Sequence, residues 1–251
     1  MTPPPIGNEA EYLDPYSTAF RQMREGMTRA TDGFAALVEK VRSVAFLLGS
    51  AAMSWIIQRL KDVKEAIDKL LERVKYAIEH ETPVISLINI SFRWVREVKT
   101  PISELSFVTT EPRDEDLVRW NGDAASAYAR KSGQQKAAVD EAVAKAEFIS
   151  QWLFKIAKSN VDYAVELAKI VTNVAAKIVE AVAEAGGVIT IPLVVETLGN
   201  AIGGLVESGL NTLLTIGQRF VEALGNVRDL ATQVGDHSKL PGGRWPEAVR
   251  G

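Results

Sequence analysis

Apolar residues recur in the first third of the chain at alternating intervals of four and three residues. The series runs Ile56, Leu60, Val63, Ile67, Leu70, Val74 and Ala77, with mostly charged residues between its members. This heptad spacing places one apolar stripe of a helix against a neighbouring helix. We therefore predict one long helix from Ser17 to Glu79, kinked near Gly33 or Gly49 because glycine is a poor helix former. The helix should end before Pro83.

A longer apolar series predicts the dominant element of the chain. Its members again alternate in steps of three and four: Val139, Ala142, Ala146, Ile149, Leu153, Ile156, Asn160, Tyr163, Leu167, Ile170 and Val174. Extended to Asp123 and Ala185, this pattern predicts a helix on the order of 90 Å long at a rise of about 1.5 Å per residue. The predicted fold is all-α, an elongated bundle in which the two long helices pack antiparallel. Asn160 either sets the register of the seam or faces water.

The segment between these helices contains three prolines that divide it into shorter elements. Thr82-Pro83 resembles a helix start, and the helix should end before Pro101, although β-branched residues such as Ile88 leave a strand as the alternative. Residues 101–113 contain two prolines and are predicted to be irregular. The acidic residues 114–116 should then open a short turn that ends at Trp120.

The C-terminal part is apolar and rich in glycine. Gly186-Gly187 should end the long helix, and residues 186–231 should form a further helical segment between an N-terminal bundle (15–185) and a tail (232–251). Residues 1–14 should be a flexible N-terminus. Glu196 and Glu207 leave no uncharged stretch of the roughly 18 to 20 residues that a membrane-spanning helix needs. Gly199 and Gly203 have the spacing of close helix packing; possible membrane or partner contacts are Ile191, Leu193, Val194, Gly199, Gly203 and Trp245.

Composition narrows the function classes. The 251 residues include no cysteine and carry a formal net charge of −3, so disulfides, thiolate nucleophiles, cysteine zinc sites and a basic nucleic-acid footprint are all excluded. No phosphate-binding loop or nucleophile elbow occurs, and His80 and His237 are the only histidines. We predict a protein that is not an enzyme, with no catalytic residue, cofactor or metal.

One short motif lies where the two halves of the bundle should join. Trp120-Asn121-Gly122 is followed by Asp123 and by a run of small residues. Glycine can take the positive φ of a sharp reversal, and a tryptophan offers a large apolar face with one donor. We therefore predict a turn between helices with a buried Trp120.

The run Trp120-x-Gly122-x-Ala124-Ala125-x-x-Tyr128 resembles the WXG superfamily of actinobacterial type VII (ESX) secretion substrates. The chain is most similar to the larger ESX secretion-associated proteins of the EspA and EspE type, over about residues 15–205. The resemblance implies an elongated helical bundle, export without a cleaved signal peptide to the medium or cell envelope, and often a paired helical partner. No basic, apolar signal peptide opens the sequence, in keeping with that expectation.

Two features depart from the family. Its export signal is Tyr-x-x-x-Asp/Glu, whereas Tyr128 is followed at the fourth position by Ser132. Pro101 and Pro112 interrupt the region before the turn. A partner would then supply the export signal, or the exporter does not recognise this chain itself.

Three functional hypotheses follow. The first is an exported type VII substrate that acts as a structural or interaction protein, in contact with the ESX secretion machinery. The second is a membrane-perturbing or pore-forming protein that uses residues 186–217, and the third is an intracellular adaptor for a secreted toxin. Apolar residues outside the long seam, such as Val161, Val165 and Val171, indicate more apolar surface than one hairpin covers. We therefore expect a homo-oligomer or a second helical partner.

Overall fold

The structure is a computed structural model that describes residues 8–108, 119–225, 231–232 and 235–236. The helices are α1 (Ala10–Val44), α2 (Ser50–Glu79), α3 (Glu81–Trp94), α4 (Thr100–Val108), α5 (Asp123–Glu184) and α6 (Thr190–Gly225). A 3₁₀ turn, Ala45–Leu47, follows α1, and a π-helical segment, Val95–Lys99, joins α3 to α4. The described residues contain no strand. The predicted all-α helical bundle is confirmed, and the strand alternative for the region around Ile88 is wrong.

The prediction of one helix from Ser17 to Glu79 is also wrong. Val44 leaves the helical conformation with φ −111° and ψ 4°, and Gly49 is extended with φ −62° and ψ 157°. The chain reverses here, so that α1 and α2 form a helical hairpin. Gly33 lies within α1 without a break, and α1 begins at Ala10, inside the segment expected to be flexible.

The chain divides into two compact units, of which the first comprises residues 1–85 and 158–220. Three contacts fix the direction of α1 against α5 in this unit. A Cβ on Gly26 would meet Val171, one on Gly33 would meet Ile178, and Lys40 donates a 2.6 Å hydrogen bond to the carbonyl of Val182. Residue numbers rise together on both helices, so α1 and α5 run parallel.

The other two helices of this unit run in the opposite direction. A Cβ on Gly209 in α6 would lie 2.6 Å from Ile170 in α5, and Gly199 in α6 faces Val63 in α2 at 3.8 Å. The Tyr16 hydroxyl near the start of α1 donates a 3.3 Å hydrogen bond to the carbonyl of Glu81, just after α2, and only five residues join α5 to α6. Helices α2 and α6 therefore both run antiparallel to α1 and α5, as predicted for the two seam-bearing helices. The unit is an up-down-up-down four-helix bundle.

Within this bundle α5 buries two seams. The predicted seam is buried at Leu167, Ile170 and Val174, and a second heptad series is buried at Val161, Ala164, Ala168, Val171, Ala175 and Ile178. The second series faces α1, because Val171 and Ile178 meet its glycines. Val161 and Val171 are thus covered within the chain, while Val165 is 42 % exposed. The surplus apolar surface from which we expected an assembly is largely accounted for by α1 and α6.

The second unit comprises residues 86–157 and 221–251. Its core is an antiparallel pairing of α3, the π segment and α4 with the first part of α5. Three contacts, spaced seven residues apart along each of the two helical segments, mark the register. They are Phe92 with Phe154 at 5.0 Å between ring centroids, Lys99 with Glu147, and Ser106 with Asp140 at 2.6 Å.

The prediction that the helix ends before Pro101 is wrong, and so is the prediction of an irregular segment over the part of 101–113 that the structure describes, residues 101–108. The helical path continues through Pro101 to Val108. Proline lacks the N–H that an α-helix requires in its interior. The π segment directly before it shifts the hydrogen-bond register, and Pro101 falls in the first turn of α4, where that donor has no partner to lose.

Candidate functional site: the Trp-x-Gly turn

The Trp-x-Gly motif forms a turn directly before α5. Gly122 has φ +102°, and it is the one position with positive φ among the described residues. Its carbonyl accepts a 3.0 Å hydrogen bond from the N–H of Ser126, which begins the helix. The Asn121 side chain donates to the Arg119 carbonyl at 2.9 Å. A side chain at position 122 would meet no neighbour, so only the backbone conformation requires glycine there.

Trp120 is not buried as predicted. Its side chain is 43 % exposed, as is that of Tyr128. The two rings contact each other, with centroids 5.8 Å apart and planes at 51°. The indole therefore lies back along the first turns of α5 instead of filling the end of a bundle.

The small residues after the turn are only partly covered. Ala124 is exposed and Ala125 is half-buried, so neither marks a tight helix contact within the described residues. The residues expected to precede the turn, 114–116 and Leu117, lie outside the described residues, as does Pro112. What the structure provides is an exposed aromatic pair beside the bend at Gly122.

The helix behind the turn is firmly held in the second unit. The Trp94 indole donates a 3.0 Å hydrogen bond to the carbonyl of Ala146. Hydrogen bonding from Lys99 holds the pKa of the Glu147 carboxyl below its usual range, and hydrogen bonds from Ser106 and then Lys136 lower that of Asp140. Both carboxylates are thereby kept ionised on the face of α5 that packs against α3 and α4.

The predicted packing seams lie where expected. Ile56, Leu60, Val63, Ile67, Leu153, Ile156, Leu167 and Ile170 are all buried. Asn160 is half-buried. These residues form the cores of the two units and are not available to a ligand.

The residues proposed for membrane or partner contact separate into two groups. Ile191 and Val194 are buried in the first unit, whereas Leu193 is 65 % exposed. Gly203 is exposed and a side chain there would meet no neighbour, so the predicted close packing at this position is absent; Gly209 makes the tight contact of α6 instead. Trp245 lies outside the described residues.

The described residues hold neither a metal-binding cluster nor a membrane span. No three His, Asp or Glu side chains among them converge in the manner of a metal site. None of their helices is long and apolar enough to cross a bilayer. His80 stacks on Tyr76 with ring centroids 4.2 Å apart. His237 lies outside the described part of the chain.

Comparison with known proteins finds no matching family model, no similar curated protein and no similar solved structure. Functional inference therefore depends on the residues and geometry of the turn and of the surfaces around it.

One exposed group was missed in the sequence. Phe46 and Leu47 at the α1–α2 corner and Ile189 at the α5–α6 connection are 82 %, 56 % and 91 % exposed. The sequence feature that could have identified this group is the absence of charge around it. No charged residue lies between Arg42 and Arg59 or between Glu184 and Glu196.

Proposed function

We propose that this chain is an exported type VII secretion substrate that acts as a helical interaction protein, with the Trp120–Gly122 turn as its recognition surface. The observation that carries the proposal is the exposed Trp120–Tyr128 pair beside Gly122. Aromatic side chains have few rotatable bonds, so a pair in mutual contact beside this bend supplies contact area at low entropic cost. In this proposal a helical partner covers the pair and carries the Tyr-x-x-x-Asp/Glu signal that this chain lacks.

Two features of the turn support recognition rather than packing as its role. The rings touch each other and remain 43 % exposed, which leaves apolar surface that a partner can bury. Gly122 adopts a backbone conformation that other residues adopt only with strain. No neighbouring atom crowds this position, so packing does not explain the glycine. The bend at Gly122, and the direction it gives Trp120, is then what the glycine serves.

Export is tested in an actinobacterial host with an active type VII system and in a matched strain without the secretion ATPase. We expect the protein in the culture filtrate of the first strain only. Trp120→Ala should abolish export, whereas Tyr76→Ala, at another exposed aromatic residue in a ring pair, should leave it unchanged. Equal filtrate levels in both strains, or intact export of the Trp120 variant, would contradict the proposal.

The partner is tested by affinity capture from the same host. Wild-type protein should retain a helical partner with a Tyr-x-x-x-Asp/Glu sequence, and Trp120→Ala should lose it. Capture of a toxin from the cytoplasm together with no export would favour the adaptor hypothesis instead.

A further inference from the structure

The first unit ends in an apolar surface formed by two chain connections. Because α1 and α5 run parallel, the corner after α1 and the connection after α5 lie at the same end of the bundle; Lys40 near the end of α1 bonds to Val182 near the end of α5. Phe46 and Leu47 come from the first connection, Ile189 comes from the second, and Leu193 lies in the first turn of α6. We refer to Phe46, Leu47, Ile189 and Leu193 as the apolar tip.

The apolar tip is exposed and uncharged over a definite depth. Its four side chains are between 56 % and 91 % exposed. The helical rise of 1.5 Å per residue puts Arg42 about 6 Å behind Phe46 along α1 and Glu196 about 4.5 Å from Leu193 along α6. The exposed Glu184 is the last residue of α5. Arg42 is paired with Glu39 at 2.7 Å. The rim thus carries both signs and includes Leu193, and Phe46, Leu47 and Ile189 lie beyond it.

We infer that the apolar tip docks on a lipid bilayer, with the four-helix bundle intact. An interfacial apolar surface enters a membrane by roughly 5 to 10 Å, to the boundary between headgroups and acyl chains. Phe46 lies about 6 Å beyond Arg42, so Phe46, Leu47 and Ile189 can reach that boundary while Arg42 and Glu196 stay at the level of the headgroups. A protein partner fits less well, because four side chains on two turns cover far less than the roughly 800 Å² per side of a standard interface.

A tryptophan at the edge of the tip supports the same occupant. Trp55 lies six residues after Gly49, about 9 Å from the corner along α2, and is 37 % exposed. The Arg59 guanidinium lies over its ring, 5.7 Å from the centroid. Tryptophan is enriched at the level of lipid headgroups, where its apolar ring contacts the acyl boundary and its N–H meets water. Arg59 is also paired with Asp62 at 3.9 Å, so it adds no net charge to this edge.

This docking differs from insertion of residues 186–217. Ile191, Leu198 and Ile202 are buried in the bundle, so insertion of that whole segment requires the bundle to open. Docking by the tip leaves these residues packed. The inference is also independent of the export proposal, since it concerns purified protein and lipid alone.

The absence of cysteine permits a direct test on the full chain. Ile189→Cys and Leu214→Cys are each labelled with an environment-sensitive fluorophore and mixed with phosphatidylcholine vesicles. Leu214 is a matched control because it is 63 % exposed but lies about 36 Å along α6 from the tip. We expect a blue shift for the label at 189 and none at 214. The shift should persist from about 0.05 to 0.5 M salt, because no charge pair drives the contact.

A second measurement uses unlabelled variants. Phe46→Ser and Ile189→Ser should each weaken vesicle partitioning about tenfold or more, as expected for a side chain withdrawn from the apolar phase. Leu214→Ser should have no effect. All variants should keep the wild-type circular dichroism spectrum, since the altered side chains are exposed.

Three results would overturn the inference. No response at either label excludes lipid contact. Equal responses at 189 and 214 indicate an opened bundle with α6 inserted. A response at 189 that needs no vesicles but grows with protein concentration, together with dimer formation in light scattering, identifies a second copy as the occupant.

Discussion

Replacement of Gly26 by alanine tests the parallel packing of α1 on α5. Alanine is favoured over glycine in a helix interior by about 1 kcal/mol, so the substitution would stabilise an isolated helix. In the bundle, however, the new Cβ would lie 2.6 Å from Cγ1 of Val171 and 3.4 Å from its carbonyl carbon. Val171 is fully buried and β-branched, which leaves its side chain little rotamer freedom.

The two effects oppose each other, and their magnitudes decide the sign. Overpacking of a core typically costs about 1 to 3 kcal/mol, which exceeds the propensity gain over most of that range. Gly203→Ala is the matched control, because Gly203 is also within a helix of the first unit but has open space at its Cβ. We expect Gly203→Ala to raise the free energy of unfolding and Gly26→Ala to fall below it by about 1 to 3 kcal/mol.

Urea unfolding followed by circular dichroism measures both values. Val171→Ala removes the atom that the new Cβ would meet, so Gly26→Ala should become far less costly in that background, with a coupling energy of about 1 to 3 kcal/mol in the double-mutant cycle. If Gly26→Ala is as stable as Gly203→Ala, or if the cycle shows no coupling, α1 does not pack on α5 as described.

Two further predictions concern the α5 seam and a buried tyrosine. Ile156→Asp should lower the free energy of unfolding by several kcal/mol, because it buries an unpaired charge at a position 4 % exposed; Ala144→Asp, at an exposed position of the same helix, should cost much less, and equal losses would show that the seam is not packed. Burial, and then the nearby Glu81 carboxylate, raise the pKa of Tyr16, so the folded state holds this proton more tightly than the unfolded state. Its contribution to stability is complete below the unfolded pKa of about 10 and declines as pH rises above it. Tyr16→Phe should therefore reduce the alkaline loss of melting temperature between about pH 9 and 11 relative to wild type, and an unchanged loss would contradict the assigned burial.

Hydrophobic spacing alone determined the two main seams of the fold. The apolar series from Ile56 to Ala77 and from Val139 to Val174 keep heptad spacing over many turns, and only a helix places such residues on one face. The antiparallel relation of those helices and the positive φ at Gly122 were likewise predictable, because few residues other than glycine adopt that conformation.

Tertiary contacts decided what local signals leave ambiguous. A glycine within a helical pattern can mark either a kink or a close approach of another helix. Gly26 and Gly33 are sites where α5 approaches α1 closely, whereas the helical conformation ends at Gly49. Pro101 is tolerated because a π-helical segment precedes it. No local sequence pattern predicts this shift in the backbone hydrogen bonds. The presence of Phe46 and Ile189 at the same end of the bundle depends on helix direction, which the sequence does not encode locally. A heptad pattern states that a face is buried, but the helix that buries it is selected by packing across the whole unit.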